Sequence, residues 1–372
     1  MFAAFGGFLY YAPPAVPSGK LFSWGSNTNG QLGDNTATYR SSPVQIGAGT
    51  TWLVLGSAQY NGSAIQSNNT LWTWGQASNG ALGNNTRLTN ISSPIQIGGL
   101  SNWATISGNP LALHFAAIKT DGTLWTWGLN QQGELGQGNI VYRSSPIQIA
   151  GTSWLQPYTG YRVSSSIKTD GTLWTWGYNN NGQLGDGTKI NKSSPVQVGL
   201  LTNWQSMTHG LGWVAAIKTD GTLWVWGSGV NGTMGDSTNI SKSSPTQIGS
   251  GTSWRQVAIS VYTGLGIKND GSLWLWGNAS TSIITVNTSS PVQIGTGISW
   301  SSMSTWANAT SLKGAIQAIS NSGKLYAWGT STVGQFGTNQ SGALTSQTPT
   351  QVGLLTTWSQ IQGGGNSFYA RI

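Results

Sequence analysis

Two histidines, eight acids and no cysteine are the groups that ordinarily carry acid–base and metal chemistry in this 372-residue chain. The missing cysteine excludes disulfides, thiolate nucleophiles and zinc–thiolate centres. His114 stands four residues before Ile118 and His209 eight before Ile217. They therefore occupy different slots, and neither takes part in a spaced ligand pair or an H-E-x-x-H motif. Asp121, Asp170, Asp220 and Asp270 each precede a glycine. Asp34, Asp186 and Asp236 follow a Leu-Gly or Met-Gly step, and Glu134 lies in the same loop of another repeat. Glycoside hydrolysis needs two carboxylates facing one bond, whereas these are spaced one to a repeat and read as loop caps. Gly227–Gly232 spells G-x-G-x-x-G but no helix follows it, as a dinucleotide site requires. Asn179, Asn180, Asn181 and Asp186 offer oxygen ligands without the glutamate that closes a calcium loop. The expectation is a protein with no catalytic residues, no cofactor and no metal.

Three features are left for binding. Tyr60, Phe115, Tyr161, Trp213, Tyr262 and Phe368 precede or open one strand of their repeats, with Trp306 in an irregular stretch. If Tyr60, Tyr161, Trp213, Tyr262 and Trp306 ring one mouth of the fold, they make a stacking surface suited to surface glycans. The alternative is plain packing inside the strands. Arg40, Arg143, Lys192 and Lys242 precede Ser-Ser-Pro, and Asp34, Asp186 and Asp236 lie six residues upstream in three of those repeats. Mutual pairing is the expected use. Residues 1–17 form an apolar extension with Phe2, Phe5, Phe8, Tyr10 and Tyr11. Rings of that number need burial to offset ordering entropy, so the extension is expected to anchor the chain in another protein of an assembly. The net charge of +8 is scattered. Lys119, Lys168, Lys218 and Lys268 each sit two residues before an aspartate and are expected to cancel it, and no basic run points to nucleic acid. No apolar stretch reaches the length of a membrane-spanning helix.

The elements that position these residues come from internal repetition. Trp-Gly recurs at Trp24, Trp74, Trp127, Trp176, Trp226, Trp276 and Trp328, at intervals of 49 to 53 residues. A second series runs Trp52, Trp103, Trp154, Trp204, Trp254, Trp300 and Trp358, and a proline series runs Pro43 to Pro349. In the clearest copy, Ala215–Lys218 reads as a strand, Asp220-Gly221 as a type I′ hairpin turn, and Leu223–Trp226 as the return strand. Ser244–Ile248 reads as a third strand, with a fourth beginning after Trp254. Four short strands per repeat and no helical period describe a propeller blade. Charge is only 6% of the composition, which excludes coiled coils and charged disordered tails. The chain ends on half of a hairpin (residues 367–372) and resumes the other half at residues 20–25, so the ring is expected to close by pairing its termini. The sixth repeat has only 15 residues from Trp276 to Pro291 and is expected to have an altered loop.

Residues 117–128 (Ala-Ile-Lys-Thr-Asp-Gly-Thr-Leu-Trp-Thr-Trp-Gly) and Asn179–Thr188 (Asn-x-x-Gly-Gln-Leu-Gly-Asp-Gly-Thr) resemble the repeat of the regulator of chromosome condensation family. The resemblance covers residues 18–372 and implies an all-β, seven-bladed propeller of four-stranded blades; kelch propellers share the unit length but not this motif order. The family's eukaryotic founder is a nucleotide exchange factor on chromatin, but its basic tail is replaced here by an apolar one. Bacterial and viral members have unrelated roles, so fold alone gives no function. The low charge, Asn/Thr/Ser/Gly-rich loops and lack of a secretion signal lead to a non-enzymatic virion surface component: a decoration, fibre-tip or host-adhesion module held by residues 1–17. A secreted bacterial lectin or inhibitor propeller is the alternative, and an intracellular scaffold the third. The expected location is the virion surface or extracellular space.

Overall fold

The computed structural model describes residues 19–49, 51–278, 288–305, 315–340 and 342–372. Among these, seven four-stranded antiparallel sheets form the blades. Blade one joins the chain ends, in the order Arg40–Gln45, Leu21–Gly25, Ser367–Arg371 and Gln360–Gly363. Leu21 pairs with Arg371 and Gly25 with Ser367, which is the closure expected from the half-hairpins. Blades two to seven each take four consecutive strands, and each begins at a tryptophan of the second series: Trp52, Trp103, Trp154, Trp204, Trp254 and Trp300. The strand after Trp254 thus opens blade six rather than completing blade five. The shortened sixth loop and residues 1–17 lie outside the described residues.

The Trp-Gly tryptophans hold blade to blade. Trp24, Trp74, Trp127, Trp176, Trp226 and Trp276 are fully buried. Each indole donates to a backbone carbonyl in the loop of the preceding blade: Trp74 to Gln31 at 2.8 Å, Trp176 to Glu134 at 2.8 Å, and Trp24 to Gln335 at 3.1 Å across the closure. That approach explains the glycine of the Leu-Gly step. A Cβ on Gly185, at φ +71°, would lie 2.8 Å from the Trp226 indole nitrogen. In six blades the second-series tryptophan packs edge-on against this ring, as Trp204 does on Trp226 with centroids 5.8 Å apart, and in blade seven Trp300 lies tilted on Trp328. Each buried indole removes roughly 150–250 Å² from water, about 4–6 kcal/mol gross at about 25 cal/mol/Å².

The hairpin turn between the second and third strands is not type I′. Asp220 keeps an ordinary negative φ, Gly221 N–H donates to Lys218 O at 2.9 Å, and only Gly221 is left-handed at φ +77°. This is a type I turn closed by a glycine bulge. Asp220 is therefore free to cap, and its Oδ1 accepts from the Thr222 N–H and hydroxyl at 2.9 and 2.7 Å. The Thr222 hydroxyl in turn accepts from the Trp224 indole at 2.8 Å. The lysines do not pair directly with these aspartates, contrary to expectation. Lys218 Nζ lies 3.5 Å from the Trp224 ring centroid and 4.9 Å from that of Trp204, and burial lowers its pKa against the opposing pull of Asp220. The two neighbouring rings hold the ammonium over their faces, where a cation–π contact is available.

Candidate binding site

The first strands of blades two to seven, and Gln360–Gly363 in blade one, line the central channel, so strand direction sets the two faces of the ring. One face carries the Asp-Gly hairpin turns and the links between blades. The other carries the long loops before Ser-Ser-Pro and the connections from first to second strand. The channel encloses a cavity of about 280 Å³ whose wall includes Gln156, Met207, Gln256, Met303, Gln360 and Gln362, with no charged residue. First strands are sheet edges with spare backbone groups, and the glutamines answer some of them. Gln256 exchanges two hydrogen bonds with the backbone of Met303 in the next blade, at 3.0 and 3.2 Å.

The long-loop end of the channel is plugged. In blade three the connection spans residues 107–113, against two or three residues in blades four to six. Asn109 N–H donates to Ser57 O of blade two at 3.1 Å, and Gln59 N–H to Ala112 O at 2.8 Å. The Asn109 amide reaches His209 O of blade five at 2.8 Å. Leu111 packs on Val261 of blade six, with Tyr161, Leu211 and Tyr262 around them. One segment thus spans the axis and ties four blades together. Sequence reasoning missed it, although a signal was present. Trp103 and Lys119 are 16 residues apart (119 − 103), whereas Trp154 and Lys168 are 14 apart (168 − 154).

Beneath the plug lie both histidines, fully buried. His114 Nε2 is 2.6 Å from the Ser164 hydroxyl, which donates to Glu134 O at 2.7 Å. His209 Nε2 is 2.7 Å from the Ser165 hydroxyl. Burial lowers each imidazole pKa to about 3, and His114 adds to the shift of His209. Buried neutral imidazoles bonded to serines support the structural reading. Burial raises the Glu134 pKa, opposed by backbone N–H groups and by Arg162.

The aromatic candidates divide. Phe115 and Phe368 are buried, and so is Trp213, whose indole donates to Val261 O at 2.9 Å. Tyr161 and Tyr262 are half-buried and both pack against the Leu111–Val261 contact of the plug. Tyr60 is half-buried and apart from them, its hydroxyl accepting from Gln59 at 3.1 Å. Trp306 lies outside the described residues, as do Phe2, Phe5, Phe8, Tyr10 and Tyr11. The basic residues before Ser-Ser-Pro pair as expected: Arg40 with Asp34 at 2.7 Å, Lys192 with Asp186 at 3.5 Å and Lys242 with Asp236 at 3.9 Å. Burial pushes the Asp34 pKa up, but Thr36, Arg40 and Asn27 outweigh it and hold the carboxyl below its usual range. The Asn179 amide donates to Asp186 at 3.1 Å, so the loop read as a weak calcium candidate caps itself. Among the described residues no cluster of three acids or histidines could hold a metal ion.

The model of the regulator of chromosome condensation (RCC1) repeat matches residues 18–52, 121–160, 170–217 and 220–265. The chain is a seven-bladed propeller that carries RCC1 repeats. The fold of human WBSCR16 superposes on 95% of it and 98% of that chain, at TM-score 0.82 and 18% identity. Prp20p of Saccharomyces cerevisiae, described with its binding properties to Gsp1p and histones, covers 96% of this chain and 92% of its own, at TM-score 0.81 and 18% identity. A Danio rerio protein RCC2 homolog is 36% identical over 64 residues, which are 17% of this chain and 13% of that protein. These relatives correct the expectation of a virion surface or extracellular location. They are eukaryotic, and one is described with histones, which are chromatin proteins. The composition misled for a physical reason. The repeats of this chain cap their turns with polar side chains and bury tryptophan, so low charge and polar loops report the repeat and not the compartment.

Proposed function

We propose that this propeller is a non-enzymatic platform that binds partner proteins. The observation that carries the reading is how the chemically active side chains are spent. The histidines are buried against serines, seven of the acids cap turns or pair within loops, and Glu134 is buried. In contrast, the long-loop face leaves aliphatic side chains in water in successive blades: Leu88, Ile140, Val141, Ile190 and Ile240. The links between blades, on the other face, also expose Leu100, Leu200 and Leu354, and repeated apolar exposure is what a protein contact uses. The description of Prp20p with Gsp1p and histones, and of yeast RCC1 with Kap60, lends support from relatives of the same fold. Photo-crosslinkers placed on the two faces in the native cell extract test the reading. Protein adducts at surface positions are expected; their absence from both faces removes it.

Residues 1–17 serve in this proposal as the attachment to another chain, through Phe2, Phe5, Phe8, Tyr10 and Tyr11. Deleting residues 2–14 is expected to leave the thermal unfolding midpoint of the ring within about 2 °C, since the blades close without it. The same deletion is expected to lose co-sedimentation with the native assembly. Normal co-sedimentation of the truncated protein would refute the attachment.

A further inference from the structure

The two faces use their charges differently. On the hairpin-turn face, Asp121, Asp170, Asp220 and Asp270 each cap a turn within reach of a lysine. On the long-loop face, Asp34, Asp186 and Asp236 are each bound to a basic residue of their own loop, and Glu134 is buried. All eight acids of the chain are thereby placed. Arg87, Arg143 and Lys189 stand on the long-loop face with no acid of the chain to neutralise them. They belong to blades two, three and four, the blades that also expose Leu88 (95%), Ile140 (62%), Val141 (52%) and Ile190 (66%). In blade five Ile240 is exposed too, but Lys242 is paired, so the charged sector ends there.

The sector is continuous. Arg87 donates to Tyr142 O at 2.9 Å and lies over the Tyr142 ring. Gly138 N–H donates to Ser193 O at 2.7 Å, and the Asn191 amide to Gln132 at 2.6 Å. Each loop is thus clasped to the next blade, and the cations and aliphatic side chains share one strip.

We infer that this strip, carried by Arg87, Leu88, Ile140, Lys189 and Ile190, docks an acidic segment of a partner protein that has aliphatic side chains between its carboxylates. The inference rests on the platform reading and names its surface and partner. Charge complementarity selects the acid, because a purely apolar partner would strip water from the exposed Arg87 and Lys189 without compensating them. The exposed aliphatics argue against nucleic acid. A duplex presents a charge about every 1.7 Å and is typically met by about 6–10 basic contacts, against three here, and Leu88 and Ile190 would face phosphate.

The test is fluorescence anisotropy of the full chain with a fluorescein-labelled peptide of alternating Glu and Leu residues, beside a Lys-Leu peptide and a single-stranded DNA. The Glu-Leu peptide is expected to bind in a salt-sensitive manner. The double variant R87E/K189E, and separately L88S/I190S, are expected to weaken it by about tenfold or more; K324E on the other face is expected to leave it unchanged. Equal binding by the wild type and R87E/K189E, or preference for the DNA, overturns the inference. Crosslinkers at positions 190 and 324 separate this failure from that of the platform reading. Adducts at 324 alone overturn this surface and leave the platform standing, whereas none at either position removes both.

Discussion

A chain ending at Asn366 is expected to lose the cooperative fold of the whole ring, not of one blade. The final strand supplies the five pairs with Leu21–Gly25 that close the circle, and four more with Gln360–Gly363. It also buries Phe368, Tyr369 and Arg371. The Tyr369 hydroxyl donates to Gln31 O at 2.6 Å, and Arg371 donates to Trp52 O and Leu53 O at 3.1 and 2.8 Å, tying blade one to blade two. Losing one buried aromatic costs about 3–5 kcal/mol, and two of them approach the whole stability of a typical protein, about 5–15 kcal/mol. Truncation also bares two sheet edges. Differential scanning calorimetry of the truncated chain is expected to give no sharp transition, or an aggregate in place of a monomer. A transition within about 3 °C of the full chain would mean that closure contributes little.

The second large effect is acid destabilisation through His114 and His209. In the folded ring both titrate at about 3, and in the unfolded chain at about 6.5. Between those values the unfolded chain binds protons that the folded chain refuses, so stability falls as pH drops from about 6.5 towards 3. At pH 4.5 each histidine is about two pH units below its unfolded value. That costs about 2.7 kcal/mol each at about 1.36 kcal/mol per unit, or about 5 kcal/mol together. Glu134 acts in the opposite direction: its raised pKa lets the folded state take up a proton first, which returns part of the loss. The aspartates held below their usual range release their stabilisation mainly as pH falls below about 4, beneath the pH 7 to 4.5 comparison. Urea unfolding at pH 7 and pH 4.5 checks the claim. The wild type is expected to lose several kcal/mol between them, and H114Q/H209Q, which keeps an amide near each serine, most of that difference less. An equal loss in both proteins would place the acid sensitivity elsewhere.

Much of this molecule was legible without coordinates, and the reason is repetition. The spacing of Trp24 to Trp328 counts the blades, because the Trp-Gly indole must reach the preceding blade's loop, and that reach recurs in the six copies from Trp24 to Trp276. The half-hairpins at the two ends imply their own pairing. The Asp–basic pairs were readable because both members lie in one loop, six residues apart. What the sequence could not express is any contact whose geometry depends on several blades at once. The Lys119 and Lys218 side chains were read against their nearest acid in the chain, whereas packing of two strands sets them over tryptophan rings. Trp213 was grouped with the half-buried tyrosines by position, but it is buried with its indole bonded to Val261 O of blade six. The plug at residues 107–113 appears in the sequence as two extra residues, and only the closed ring brings Ser57, His209 and Val261 within its reach. The strip on the long-loop face is decided in the same way: which cations are left without an acid follows from how loops from neighbouring blades clasp, a tertiary arrangement that no single repeat contains.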